Sequence, residues 1–244
     1  MEIVFPDIPE YHFILKGLYT DQFASYPKFH CEPVTDFGTT LEADVAFVPS
    51  PVAILNSDDY VFLKTGNIFS YFSGPQIYSK EPENHELFVN EKDFVSEYYA
   101  KILLGNVSVR KGDGFPKIME PRIALLNYQP GYPKIDLYGK WNDAASNLPF
   151  PLYSGMIRRT LRNLKEIVEE AIHSSIKYAL DNSPSIIKDI ATMYGIENVE
   201  MLKRVMFQFI NKNTLSISDE EVESLKALSR EMDNKGYRVN KLKF

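Results

Sequence analysis

Glu10, Tyr11 and His12 set a carboxyl, a phenol and an imidazole side by side near the start of the chain. An imidazole titrates near neutral pH, so His12, in the turn after a first strand, could take a proton from a bound molecule. A hydrogen-bonded histidine opening a helix fits the same place. Glu10 is a second acid–base candidate, set against the ordinary use of an acidic residue in a first helical turn. Ser50 and Ser96 stand at the starts of expected helices, where a hydroxyl and backbone N–H groups can hold a carboxylate together or simply cap the helix. Asn127 and Tyr128 follow the apolar run 122–126 and could orient a ligand. An asparagine amide does not titrate near neutral pH, however, so Asn127 could not act as a base. Tyr11, Tyr71, Tyr98 and Tyr153 could stack on a ring or fill a core. His30 beside Cys31 lacks metal-ligand spacing, and His85 and His173 read as solvated. With no Walker loop, dinucleotide glycine motif or zinc spacing, neither a metal nor a cofactor is expected.

The elements that must position these groups alternate at first. Glu2 to Phe5 reads as a short buried strand running into the rigid turn 6–9 and then the helix-periodic Phe13, Ile14 and Leu18. Ala43 to Val48 is a second buried strand, ending where Ser50 can N-cap a helix with Pro51 at its first position. Residues 59–64 and 73–80 read as extended and 81–93 as a polar passage. A helix is expected over about 94–104, stopped at Gly105. Arg122 to Leu126 reads as a third buried strand. From Thr160 the pattern turns helical: Leu161, Leu164, Val168, Ala171, Ser175 and Tyr178 share one face. Further helices are expected from Ser183 to Gly195, over about 198–211, and from a capping box of Ser218 with Glu221 to Gly236. Strands ending in polar turns predict an α/β chain binding its ligand at those turns.

Composition narrows the classes. The 244 residues are 44% hydrophobic and 25% charged, which fits a folded globular chain, and sixteen Phe with fifteen Tyr demand a sizeable core. A single cysteine excludes an internal disulfide. Residues 1–150 carry 12 basic against 20 acidic side chains, and residues 151–244 carry 15 against 13, so no basic field for nucleic acid is present. The start lacks the basic and apolar regions of an export signal, and the apolar tract 45–55 is broken by two prolines, so a cytoplasmic protein without a membrane span is expected. Nothing in the sequence fixes the oligomeric state, and a homodimer is left open.

The segment from Lys134 to Arg159, KIDLYGKWNDAASNLPFPLYSGMIRR, resembles a signature of the futalosine-route menaquinone biosynthesis enzymes, the dihydroxynaphthoate synthase and chorismate dehydratase family. The matching residues are Asp136-Leu137, Trp141, Leu148-Pro149-Phe150-Pro151-Leu152 and Arg158. Weaker correspondences run through Phe5, Pro9, Ala43 to Ser50, Gly74-Pro75, Ser96 to Leu104 and the tail 207–236. The resemblance implies a two-lobed, periplasmic-binding-protein-like fold of type II, with mixed sheets and a helical C-terminal segment. Lobe 1 would comprise residues 1–75 and 152–244 and lobe 2 residues 76–151, with a ligand cleft between them.

By the same resemblance, the chain is similar to 1,4-dihydroxy-6-naphthoate synthase, a lyase acting without a cofactor on a carboxylated ring. The synthase branch carries a general-base histidine at the position of Asn127, and the dehydratase branch has Gly-Asp where Asn127-Tyr128 stand here. The Asn-Asp after the first strand is replaced by Glu10-Tyr11-His12. Proton transfer would then fall to His12 or Glu10, with Tyr11, Ser50, Ser96, Asn127 and Tyr128 contacting a small anionic ring-containing ligand. The alternative is a non-catalytic solute-binding or sensor protein on the same fold.

Overall fold

The computed structural model describes residues 1–19, 26–37, 41–79, 86–126 and 134–244. Its strands are β1 (Glu2–Pro6), β2 (His30–Val34), β3 (Val45–Pro49), β4 (Tyr60–Phe62), β5 (Ile68–Ser70), β6 (Gln76–Tyr78), β7 (Glu86–Val89), β8 (Ser108–Lys111), β9 (Lys117–Met119), β10 (Lys134–Asp136) and β11 (Phe150–Arg158). The helices are α1 (Pro9–Ile14), α2 (Ser50–Leu55), α3 (Ser96–Leu104), α4 (Pro121–Leu126), α5 (Leu137–Ala145), α6 (Lys165–Asp181), α7 (Ser183–Met193), α8 (Val199–Phe209), α9 (Lys212–Leu215) and α10 (Asp219–Asn234). Two compact units result: Met1–Phe69 with Tyr153–Ser218 and Asn240–Phe244, and Ser70–Leu152 with Asp219–Val239.

The first unit is built on a mixed sheet of order β2-β1-β3-β11-β4, with β5 paired to β11. β1, β2 and β3 run parallel and β11 antiparallel to β3, so Tyr153 and Ser154 lie opposite Pro49 and Val48 at the carboxyl edge of β3. All five residues of β3 are buried, as a continuous apolar run in a central strand requires. α6 buries Val168, Ala171, Ile172, Ser175, Ile176 and Ala179, a stripe at three-and-four spacing. The Phe47 ring fixes a tight point: a Cβ built on Gly66 would lie 2.5 Å from it, and one on Gly155 2.7 Å. At the sheet's edge the Phe62 N–H donates to Lys243 O at 2.8 Å, and the Phe62 and Phe244 rings are 5.3 Å apart.

The second unit has the order β10-β6-β9-β7-β8, with β7 parallel to both β8 and β9, and β6 antiparallel to β9 and β10. Trp141, Tyr99 and Phe150 are its largest buried rings, with the Phe150 centroid 4.4 Å from Tyr99 and 5.5 Å from Trp141. The Trp141 indole N–H donates to the carbonyls of Leu148 and Pro149, so the most distinctive residue of the segment 134–159 holds a turn and a core rather than a ligand.

Several sequence expectations need correction. The run 122–126 is not a strand but most of α4: an apolar run this short does not distinguish the two states by periodicity, and Pro121 opens a helix whose Ile123 and Ala124 pack with Tyr78 and Met119. The strand expected there is β9, immediately upstream. The polar passage 81–93 contains β7, and the helix expected from Thr160 begins as a 3-10 turn, Arg159–Leu164, before α6. The helical tail was expected wholly in the first lobe, but residues 219–239 group with the second unit.

Gly66 has φ +81° and no room for a side chain. Gly66→Ala therefore lowers stability by about 2 kcal/mol or more, read as the urea midpoint. Gly139, inside α5 with nothing within 4 Å of a built Cβ, is the contrasting site. There Gly139→Ala raises stability by about 0.5–1 kcal/mol.

Candidate functional site

In the first unit, the carboxyl edge of β1 leads through Asp7 and Ile8 into α1, whose opening Pro9 has the backbone angle a first turn needs. Successive helical residues point about 100° apart, so residues two apart do not share a face. Glu10 and His12 accordingly leave α1 on opposite sides. Glu10 is 1% exposed. Tyr11 is fully buried, donates to the Gly66 carbonyl at 3.2 Å, and lies 5.0 Å from the Phe47 ring and 5.9 Å from that of Tyr153. Burial, and secondarily the charge of Glu10, push its phenol well above the usual range, so it stays protonated.

His12 faces a different environment. Its Nε2 is 3.0 Å from Asp7 Oδ1, which also accepts the Tyr194 hydroxyl at 2.6 Å, and the rings of Phe5 and Tyr194 pack edge-on against the imidazole. The two acid–base candidates, neighbours in sequence, are thus separated by helical geometry.

Ser50 does not cap α2. Pro49 is the capping residue, Ser50 begins the helix, and its hydroxyl, fully buried, pairs with Ser154 Oγ at 2.9 Å. The partner came from the antiparallel register of β11 on β3, which strand-by-strand reading does not reveal. Beside it, Asn67 donates to Leu63 O and accepts from the Gly155 N–H, fixing the turn under Tyr11.

In the second unit, Ser96 opens α3, but a carboxylate organises the place. Asp93 Oδ1 accepts the N–H groups of Val95 (3.1 Å) and Ser96 (2.9 Å), and Oδ2 accepts the Ser96 hydroxyl (2.7 Å) and the Glu120 N–H (2.8 Å). Asp93 therefore ties the turn after β7 to the end of β9. Burial raises its pKa although the hydrogen bonds from Ser96, Glu120 and Val95 oppose the rise. Immediately beyond β9, the Arg122 guanidinium, 8% exposed, is hydrogen-bonded to the Glu120 carboxylate. Gln76, whose register partner is Met119, adds a buried amide at this edge and accepts the Tyr78 hydroxyl.

Asn127 and Tyr128 lie outside the described residues, as does His85. Because 122–126 is helical, the groups that end the strand here are Glu120 and Arg122. Sequence reading passed over both, although the run Glu120-Pro121-Arg122 after the strand-like 117–119 was the available sign. Of the aromatic candidates, Tyr11 and Tyr153 are core, while Tyr71 is partly exposed and donates to Glu221. Among the described residues no group of His, Cys, Asp and Glu could hold a metal, and no helix is long and apolar enough to cross a membrane.

Two mixed α/β sheets, with polar side chains gathered at the carboxyl edges of their parallel strands, define a periplasmic-binding-protein-like fold, and solved structures of that class match nearly the whole chain. Protein AF1704 from Archaeoglobus fulgidus is 17% identical with TM-score 0.79, covering 96% of this chain and 97% of its own. The alkanesulfonate-binding protein SsuA from Xanthomonas axonopodis pv. citri, bound to MOPS, is 10% identical with TM-score 0.59 over 99% and 94%. The Candida albicans CA3427 gene product, described as having the generic periplasmic binding protein fold, is 12% identical with TM-score 0.54 over 100% and 97%. The sequence itself matches the menaquinone biosynthesis family model over residues 118–234, which bears out the resemblance read in 134–159. No curated protein matches the sequence.

The raised pKa of Asp93 has a definite sign. Between its ordinary value of 3.8 and its raised folded value, the folded state binds more protons than the unfolded state. Its contribution is full below pH 3.8 and is lost as pH rises through the folded value. The stability of the wild type minus that of Asp93→Asn therefore falls across this window and then levels off, as paired urea titrations at successive pH values measure.

Proposed function

We propose that the chain is a cytoplasmic lyase of menaquinone biosynthesis, similar to 1,4-dihydroxy-6-naphthoate synthase, that acts on a small carboxylated ring compound without a cofactor. The observation that carries the reading is the placement of Glu10: a buried carboxyl at the carboxyl edge of β1, next to the protonated Tyr11. The match to the menaquinone biosynthesis model supports the pathway. The resemblance implies a general-base histidine where this chain has Asn127, and the proton-accepting role passes to Glu10. Its carboxylate takes a proton from a ring carbon, the C–H pair forms a new double bond, and the bond to the neighbouring leaving group breaks with its pair going to that group.

The ligand carboxylate falls to Arg122, a buried planar guanidinium already oriented by Glu120, with the Ser96 hydroxyl beside the same strand end. Ser50, Asn127 and Tyr128 complete the contacts. The second reading, a non-catalytic solute-binding or sensor protein, draws on the sulfonate-binding relative of the same fold.

The test is to incubate the purified chain with cyclic dehypoxanthinylfutalosine and with chorismate, following product by chromatography and binding by calorimetry. Turnover that falls at least ~100-fold in Glu10→Gln, with affinity kept within about threefold, is the expected outcome. Arg122→Lys keeps the charge but loses the fork, and weakens affinity about tenfold, or about 1.4 kcal/mol. Binding with no turnover selects the solute-binding reading, and binding of neither compound sinks both.

A further inference from the structure

The first unit contains a cavity of about 340 Å³ that the proposed chemistry does not use. Its walls are mostly apolar, from Tyr19, Pro33, Ile190 and Met193, and the last is 61% exposed at the end of α7. A cavity of this size with a few convergent polar groups is of the kind that takes small molecules.

The polar groups specify what would fit. Asp7 Oδ1 accepts from both the Tyr194 hydroxyl and His12 Nε2, which assigns the proton of the neutral imidazole to Nε2. Nδ1 is left as an acceptor with no partner among the described residues, on a side chain that lines the cavity. An unpartnered acceptor on a side chain that lines the cavity can take a donor from a ligand, such as a hydroxyl. Lys16 supplies a positive charge, paired among the described residues with Asp189 at 3.9 Å, both side chains being at least one-third exposed. Such a pair contributes little and yields readily to a ligand carboxylate. Burial lifts the Cys31 thiol to about 12, so it presents a neutral wall and no competing anion.

We propose that this cavity is a second ligand site, for a flat ring bearing both a hydroxyl and a carboxylate, with the hydroxyl on His12 Nδ1, the carboxylate on Lys16 and the ring against Ile190 and Met193. The site is separate from the cluster around Glu10, because His12 and Glu10 leave α1 on opposite faces. Its occupancy requires no turnover.

The probe is 6-hydroxy-2-naphthoate, titrated against the full chain by its own fluorescence, with 2-naphthoate and 2-naphthol as comparators. Saturable one-site binding is expected, weakened about tenfold by loss of either polar group from the probe, the equivalent of about 1.4 kcal/mol. Lys16→Gln and His12→Phe each weaken it similarly. Met193→Glu, a change at an exposed position that leaves the fold intact, places a negative charge at the mouth and weakens binding at least as much. Glu10→Gln leaves it unchanged. Absence of saturable binding overturns the proposal. So does binding indifferent to Met193→Glu and Lys16→Gln, and binding lost in Glu10→Gln marks occupancy of the other site instead.

Discussion

An α-helix rotates by about 100° at each residue, and at α1 this rule decides what the first unit can do. Three candidate side chains in a row cannot converge on one point. Glu10 goes into the interior, Tyr11 packs against the Phe47 and Tyr153 rings, and His12 turns to Asp7 and Tyr194. The direction of the helix is in turn set by Pro9 at its start and by packing against α6, where Ser175 Oγ donates to the Ile14 carbonyl at 2.7 Å. A single buried hydroxyl on a long helix thus helps aim three groups on a short one.

The second unit meets the same demand with a carboxylate. β7 and β9 are parallel and adjacent, and their carboxyl ends must be held together if groups from both are to act at one place. Asp93 does this with four accepted hydrogen bonds, three from its own turn and one from Glu120, just past the end of β9. Burial raises its pKa by more than those four bonds lower it. Glu120 then joins two roles: its backbone N–H anchors to Asp93 while its side chain orients Arg122. A charged donor at the strand end is therefore positioned through the backbone rather than by its own packing.

Much of the scaffold was legible in the sequence because local signals agreed with it. The apolar 45–49, the Gly105 stop after α3 and the periodicity of α6 each have one physical reading, and each element forms where that reading places it. β9 and α4 were not legible in this way. A three-residue strand followed closely by the four apolar helical residues Ile123–Leu126 looks like one strand, and only the partners Tyr78 and Met119 make the difference. That displacement of a few residues puts Glu120 and Arg122 just past the end of the strand. Glu10, Tyr11, Ser50 and Ser96 could be named from the sequence, but Ser154, the partner of Ser50, and Asp93, the partner of Ser96, could not. Such pairings depend on sheet register or on which carboxylate a turn encloses.

The tail brings a consequence for association. β4 is three residues long and stands at the outer limit of its sheet, where a vacant ladder would invite a strand from another molecule. Lys243 takes the Phe62 amide and Phe244 lays its ring beside that of Phe62, so this border is already occupied by the chain's own residues. Part of the ladder at this border is thus already taken up by residues 240–244, through one hydrogen bond and one ring contact.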